Sequence, residues 1–113
     1  AHGSRDPLWH KPIEAVAAHI ATLSPLTPVV CAYLELSTPD LPTVTRSLLD
    51  RGVRDITILP MFLGVGRHAR EDLPGLVVEL QTTYPEAQFT LKAAVGEDTR
   101  LVQLMAQIAL EGL

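Results

Sequence analysis

Four histidines, one cysteine and a scatter of acids and arginines are the side chains in this sequence that could do chemistry. His2 and His68 stand out, because each sits in a glycine-containing segment, His2-Gly3-Ser4-Arg5-Asp6 and Gly64-Val65-Gly66-Arg67-His68. Glu35 follows the apolar run Cys31-Ala32-Tyr33-Leu34. Two imidazoles with a nearby carboxylate suit a borderline divalent metal, and few protein ligands leave coordination positions open for reaction. Arg5, Arg67 and Arg70 are either paired with local acids (Asp6, Glu71, Asp72) or available for bidentate contacts to a carboxylate or phosphate. A loop histidine is more often a solvated or capping residue, and His10 and His19 are read that way. Glu35 is either a buried, functional carboxylate or one that simply emerges at a strand end.

These residues need a scaffold to gather them. Ile13, Val16, Ala17 and Ile20 recur at helical spacing after Pro7 and Pro12, and the Ser24-Pro25 and Thr27-Pro28 pairs end that helix. Val29–Leu36 reads as a strand covered on both faces. Leu41, Val44, Thr45 and Leu48 predict a second helix, stopped by Gly52. Asp55–Phe62 predicts another buried strand, and 63–67 a loop. A third helix carries Leu73, Leu76, Val77 and Leu80, with Pro74 in its first turn. Gln88–Ala94 predicts a strand, and Leu101, Leu104, Met105 and Ile108 the face of a last helix. Strands alternating with helices imply parallel βαβ crossovers and an α/β layered sheet. Ligands of such sheets lie beyond the carboxyl ends of the strands, where the segments of His2, Glu35 and His68 converge. The first helix has no strand before it, so the reading expects a first strand missing from the numbered chain.

Composition sets limits on this reading. The chain has 113 residues, 47% hydrophobic and 19% charged, which is the size and make-up of one globular domain. No run of about 20 apolar residues suggests a membrane span, and the N-terminus has no signal-peptide pattern. A single cysteine, Cys31, excludes an internal disulfide and a CxxC metal knuckle and fits a reducing cytoplasm. Nine basic against 13 acidic side chains give a net charge of −4, with 4% aromatics, which argues against nucleic acid as a partner. Gly64-Val65-Gly66-Arg67-His68-Ala69 formally fits a dinucleotide fingerprint, but Glu86 precedes a strand instead of ending one. A phosphate-ester hydrolase built on His2-Gly3 lacks the arginine that would precede the histidine, because Ala1 stands there.

Taken together, His2-Gly3-Ser4-Arg5-Asp6-Pro7, Tyr33-Leu34-Glu35, and Leu59-Pro60-Met61-Phe62-Leu63 leading to Gly66-Arg67-His68 and Asp72-Leu73-Pro74 resemble the sirohydrochlorin chelatases. The likeness is to the small cobaltochelatase type, CbiX-like and related to the sirohydrochlorin ferrochelatase, and it runs over essentially the whole chain. It implies a three-layer class II chelatase fold with a mainly parallel sheet, formed by 1–113 as a single domain. It implies insertion of Co(II) or Fe(II) into sirohydrochlorin in cobalamin or siroheme biosynthesis, with the metal as substrate and no tightly bound cofactor. Ni(II) suits histidine ligands equally. The resemblance carries metal binding onto His2 and His68, and proton or metal handling onto Glu35. Arg5, Arg67 and Arg70 would meet the carboxylates of the tetrapyrrole, and small forms of the family would pair as homodimers. The other class of function is a non-catalytic metal- or tetrapyrrole-binding module.

Overall fold

In a computed structural model the chain is described over residues 1–113, except for the side chain of His68. The helices are α1 (Lys11–Leu23), α2 (Leu41–Asp50), α3 (Arg67–Thr83) and α4 (Thr99–Leu110). The strands are β1 (Asp55–Ile58) and β2 (Gln88–Leu91). Gln88 N–H donates to the Arg54 carbonyl at 2.7 Å and Lys92 N–H to the Ile58 carbonyl at 3.0 Å. The register advances in the same direction on both strands, so the pair is parallel, as a βαβ crossover through α3 requires. No helix among the described residues is long and apolar enough to cross a membrane.

The chain forms two compact units. The first comprises Ala1–Ile56 with Glu86–Gln88, and the second Thr57–Pro85 with Phe89–Leu113. The first unit is built around α2. Asp40 caps it, accepting a hydrogen bond from Thr43 N–H at 2.9 Å, and the Thr43 side chain and then that N–H hold the Asp40 carboxyl below its usual range. At the other end Gly52 takes φ 88°, its N–H bonding the Leu49 carbonyl and that of Val53 the Leu48 carbonyl. That is a Schellman closure, which needs a residue free to adopt positive φ. Leu41, Val44, Leu48 and Leu49 bury the inner face with Tyr33, Ile56 and Ala87. Thr45 is fully buried, its hydroxyl satisfied by the Leu41 carbonyl at 2.8 Å.

The second unit buries Phe62, Leu73, Leu80 and Ala94. Leu73 and Leu80 lie on the expected apolar face of α3, but the helix begins earlier than expected. Arg67–Asp72, read in part as loop, is helical from the first residue, with Arg70 N–H on the Gly66 carbonyl at 3.1 Å. Pro74 therefore sits inside the helix and not in its first turn. Arg, Ala and Glu are good helix formers, and Arg67 and Glu71 pair one turn apart, so the residues ahead of Pro74 favour helix.

Val29–Leu36 departs from its expectation as a doubly covered strand. It forms no regular strand: its bridge is the single pair Tyr33 to Asp40, residues 34–36 bend, and Val30 is exposed. Ala1 lies alongside it, its N donating to the Ala32 carbonyl at 3.0 Å and its carbonyl accepting from Leu34 N–H at 2.9 Å. Apolar side chains favour burial but do not supply the hydrogen-bonded neighbours that make a strand. The other two strands are shorter than Asp55–Phe62 and Gln88–Ala94. The pairing beyond them continues irregularly, with Val95 N–H on the Pro60 carbonyl and Gly96 N–H on that of Phe62.

Candidate active site

In the first unit the His2 segment and the segment after Leu34 meet. His2 Nδ1 lies 3.0 Å from Glu35 Oε1. A carboxylate oxygen only accepts, so the imidazole donates through Nδ1–H, and the neutral tautomer with that proton carries its lone pair on Nε2. Both side chains are about half exposed, at 51% and 47%. An exposed pair contributes little to stability, and its consequence is orientation of the ring. Glu35 is thus a carboxylate that emerges at the end of an apolar run, not a buried one.

The backbone beneath the pair is tightly determined. Ser37 N–H donates to the Glu35 carbonyl at 2.8 Å, closing a three-residue turn with Leu36 at φ 63°. A positive φ at leucine is strained and turns the chain sharply just after Glu35. Gly3 is buried against this turn, and a β-carbon there would collide with the Glu35 carbonyl. Only glycine permits that approach.

Ser37 ties the two segments together. Its hydroxyl donates to the Ser4 carbonyl and accepts from Ser4 N–H, both at 2.8 Å. The third contact is His10 Nε2, at 2.9 Å. The hydroxyl proton is already committed to Ser4, so Ser37 accepts and His10 donates through Nε2–H. The His10 ring stacks on the buried Tyr33, centroids 4.5 Å apart and planes at 29°. His10 is therefore not the solvated or capping residue expected of it. His19 is exposed on α1. No short-range pattern signals a partner for His10 that stands 27 residues away.

The remaining residues take separate places. Arg5 is exposed. Arg67 pairs with Glu71 at 3.2 Å, the local outcome, and both are largely exposed. Arg70 borders an open cavity of about 140 Å³ in the second unit, with Phe62, Leu73, Lys92 and Glu97 also in its wall. Gly96 closes that unit's loops, its backbone packed against Leu63 so that a β-carbon would collide. His68 is the second residue of α3, and its side chain lies outside the described residues. Among the described residues no three metal-ligating side chains cluster. Cys31 is half-buried, its thiol directed at the Ile13 carbonyl and pushed up in pKa by burial and then by Glu14, which makes it an unreactive thiol.

The family model described as CbiX matches residues 1–111. The chain belongs to the CbiX family. A sirohydrochlorin cobaltochelatase of Sulfolobus acidocaldarius is 25% identical over 99% of this chain and 87% of its own length. That of Methanopyrus kandleri is 28% identical over 67% of this chain, which spans about half of it, 53%. A sirohydrochlorin ferrochelatase of Bacillus subtilis is 26% identical over 80% of this chain, but only 33% of the ferrochelatase is covered. Among solved structures, the putative cobalamin biosynthesis CbiX protein of Marinobacter aquaeolei superposes with a TM-score of 0.83 at 30% identity, covering 97% of this chain and 89% of that one. SirB of Bacillus subtilis with Fe3+ shares the fold, with a TM-score of 0.76 over 94% of this chain and 42% of SirB. The class II chelatase architecture expected of this CbiX family member is the fold these neighbours have.

Proposed function

We propose that this chain is a metal chelatase that inserts a divalent ion into sirohydrochlorin. The observation that carries the reading is the His2–Glu35 pair, 3.0 Å apart, in a chain that the CbiX family matches almost from end to end. Metallation must strip water from the ion and remove the pyrrole protons. In this reading His2 and His68 hold the ion, weakly enough to release it. Glu35 orients His2 and, with it, accepts a proton as the macrocycle closes on the metal. Arg5 and Arg70 meet substrate carboxylates, and Arg67 joins them by exchanging Glu71 for the substrate. The chain's −4 charge opposes long-range attraction of a polyanion, so these local cations must orient it. Co(II), Fe(II) and Ni(II) all suit imidazole ligands. The metal is substrate, and no resident cofactor enters the scheme.

The reading includes a homodimer acting in the cytoplasm. In its favour, Leu104 and Ile108 are exposed one turn apart on α4, an apolar surface of the kind a second subunit covers. Sirohydrochlorin and Co(II), followed by absorbance, test the activity. The chain converts them, and His2→Ala and Glu35→Gln lower the rate by roughly a hundredfold or more. Full activity in both variants would overturn the site. Tight binding of sirohydrochlorin without metallation would identify a binding module instead.

A further inference from the structure

We propose that Trp9 is a substrate-contacting residue whose indole ring receives the face of the tetrapyrrole beside His2. The proposal rests on the chelatase reading and adds a contact to it. Trp9 is the only tryptophan in the chain, and it is 51% exposed. Large aromatic rings are usually mostly buried, so half of an indole left in water at a candidate site is unusual.

The ring is also held in place. Trp9 lies in a 3-10 turn, Pro7–His10, capped by Asp6, whose carboxylate accepts from Leu8 N–H at 2.9 Å and whose carbonyl accepts from Trp9 N–H at 3.0 Å. Its indole Nε1–H donates to the His2 carbonyl at 2.9 Å. That bond uses the one polar group the side chain has. What remains for a ligand is the apolar ring, pinned at both backbone and indole, so little conformational freedom is lost on contact. The metal changes hands at His2, so the macrocycle must come within bonding distance of an ion held there. A flat conjugated ligand arriving at His2 meets a flat, pre-oriented indole attached to the same residue.

The chain's single tryptophan makes the test specific. The wild-type protein is titrated with metal-free sirohydrochlorin while the one indole N–H resonance is followed by NMR. Stacking on the macrocycle places that proton in its ring current, and a large shift that saturates with binding is expected. Affinity is measured in parallel from the absorbance of sirohydrochlorin. Trp9→Ala weakens binding roughly tenfold, whereas Trp9→Phe, which keeps a ring but not the hydrogen bond, stays within about threefold. An indole resonance unmoved at saturation overturns the contact. So does a Phe variant as weak as the Ala variant, because the hydrogen bond on His2 would then be the cause. If Trp9→Ala does not fold, the wild-type titration and Trp9→Phe still decide. If the wild-type chain binds sirohydrochlorin without metallating it, the chelatase reading falls while an indole shift upholds the contact. If it metallates and the indole stays put, the contact alone falls.

Discussion

The hydroxyl of Ser37 holds both polar backbone groups of Ser4, the N–H and the carbonyl, at 2.8 Å each. Residues 33 positions apart are fastened by one side chain, two residues from His2 on one strand of the junction and two from Glu35 on the other. His10 completes the arrangement from α1's leading edge by donating through Nε2. Ser37→Ala removes three hydrogen bonds at a part-buried point and leaves the Ser4 groups to water. The expected cost is about 1–3 kcal/mol in stability, read from thermal unfolding. The metallation rate falls roughly tenfold more than that stability loss explains, because the His2–Glu35 geometry loosens. Ser37→Thr, which retains the hydroxyl, restores most of it. A Ser37→Ala protein with wild-type kinetics would show that the pair positions itself without the serine.

Gly3 supplies the close approach in the same junction. A methyl group there would meet the Glu35 carbonyl, a backbone atom that cannot rotate away. Gly3→Ala should therefore displace the turn at Glu35–Ser37 and destabilise the chain by on the order of 3 kcal/mol. Gly64→Ala is the control, since its β-carbon would meet nothing within 4 Å. Thermal unfolding of the two variants side by side checks this. Equal stabilities would mean that the junction yields easily.

Much of this organisation is legible in the sequence, for identifiable reasons. Helix α2 is bracketed by Asp40 and Gly52, whose capping chemistry is local. The meeting of His2 and Glu35 is expected from gathering the segments that follow strands on one rim, and it occurs although Val29–Leu36 does not form a regular strand. Where local chemistry is silent, the reading errs. Val29–Leu36 has a strand's composition, but pairing is a property of neighbours. Pro74 looks like a helix start because proline favours first turns, yet the Arg67–Asp72 segment ahead of it is helix-compatible. Nothing near His10 distinguishes it from a solvated histidine, because its partners, Tyr33 and Ser37, are tertiary ones.

Tyr33 carries a buried hydroxyl with no hydrogen-bond partner among the described residues, on a side chain only 3% exposed. Burial raises the phenol's pKa, with smaller contributions from Cys31 and Glu14. An unsatisfied buried hydroxyl costs its desolvation and returns nothing. Tyr33→Phe keeps the ring stacked on His10 and removes that cost. Stability should be unchanged or higher by about 1 kcal/mol. His10→Ala should lower it instead, since both the stacking and the bond to Ser37 are lost. A clear fall in melting temperature for Tyr33→Phe would reveal a partner for the hydroxyl.

Asp98 sets an acid limit on the start of α4. Its carboxylate caps Arg100 N–H at 2.8 Å and grips the Arg100 guanidinium, Nε on Oδ1 at 3.0 Å and Nη2 on Oδ2 at 2.6 Å. The side-chain bond to Arg100 is the chief cause that pulls its pKa down from 3.8 to about 2, and the same pair raises that of Arg100. The folded carboxyl thus binds a proton less readily than the unfolded one. Its contribution to stability is complete above the unfolded value of 3.8 and is lost as pH falls through about 2. The pair is exposed, so added salt should shrink the effect. Carboxyl NMR across the acid range should find Asp98 titrating near 2, and amide exchange at the start of α4 should accelerate over the same interval. Asp98→Asn keeps an acceptor for the cap but removes the titration, so that acid-dependent acceleration should vanish. A carboxyl that titrates at 3.8 would mean that the Arg100 pair does not persist in solution.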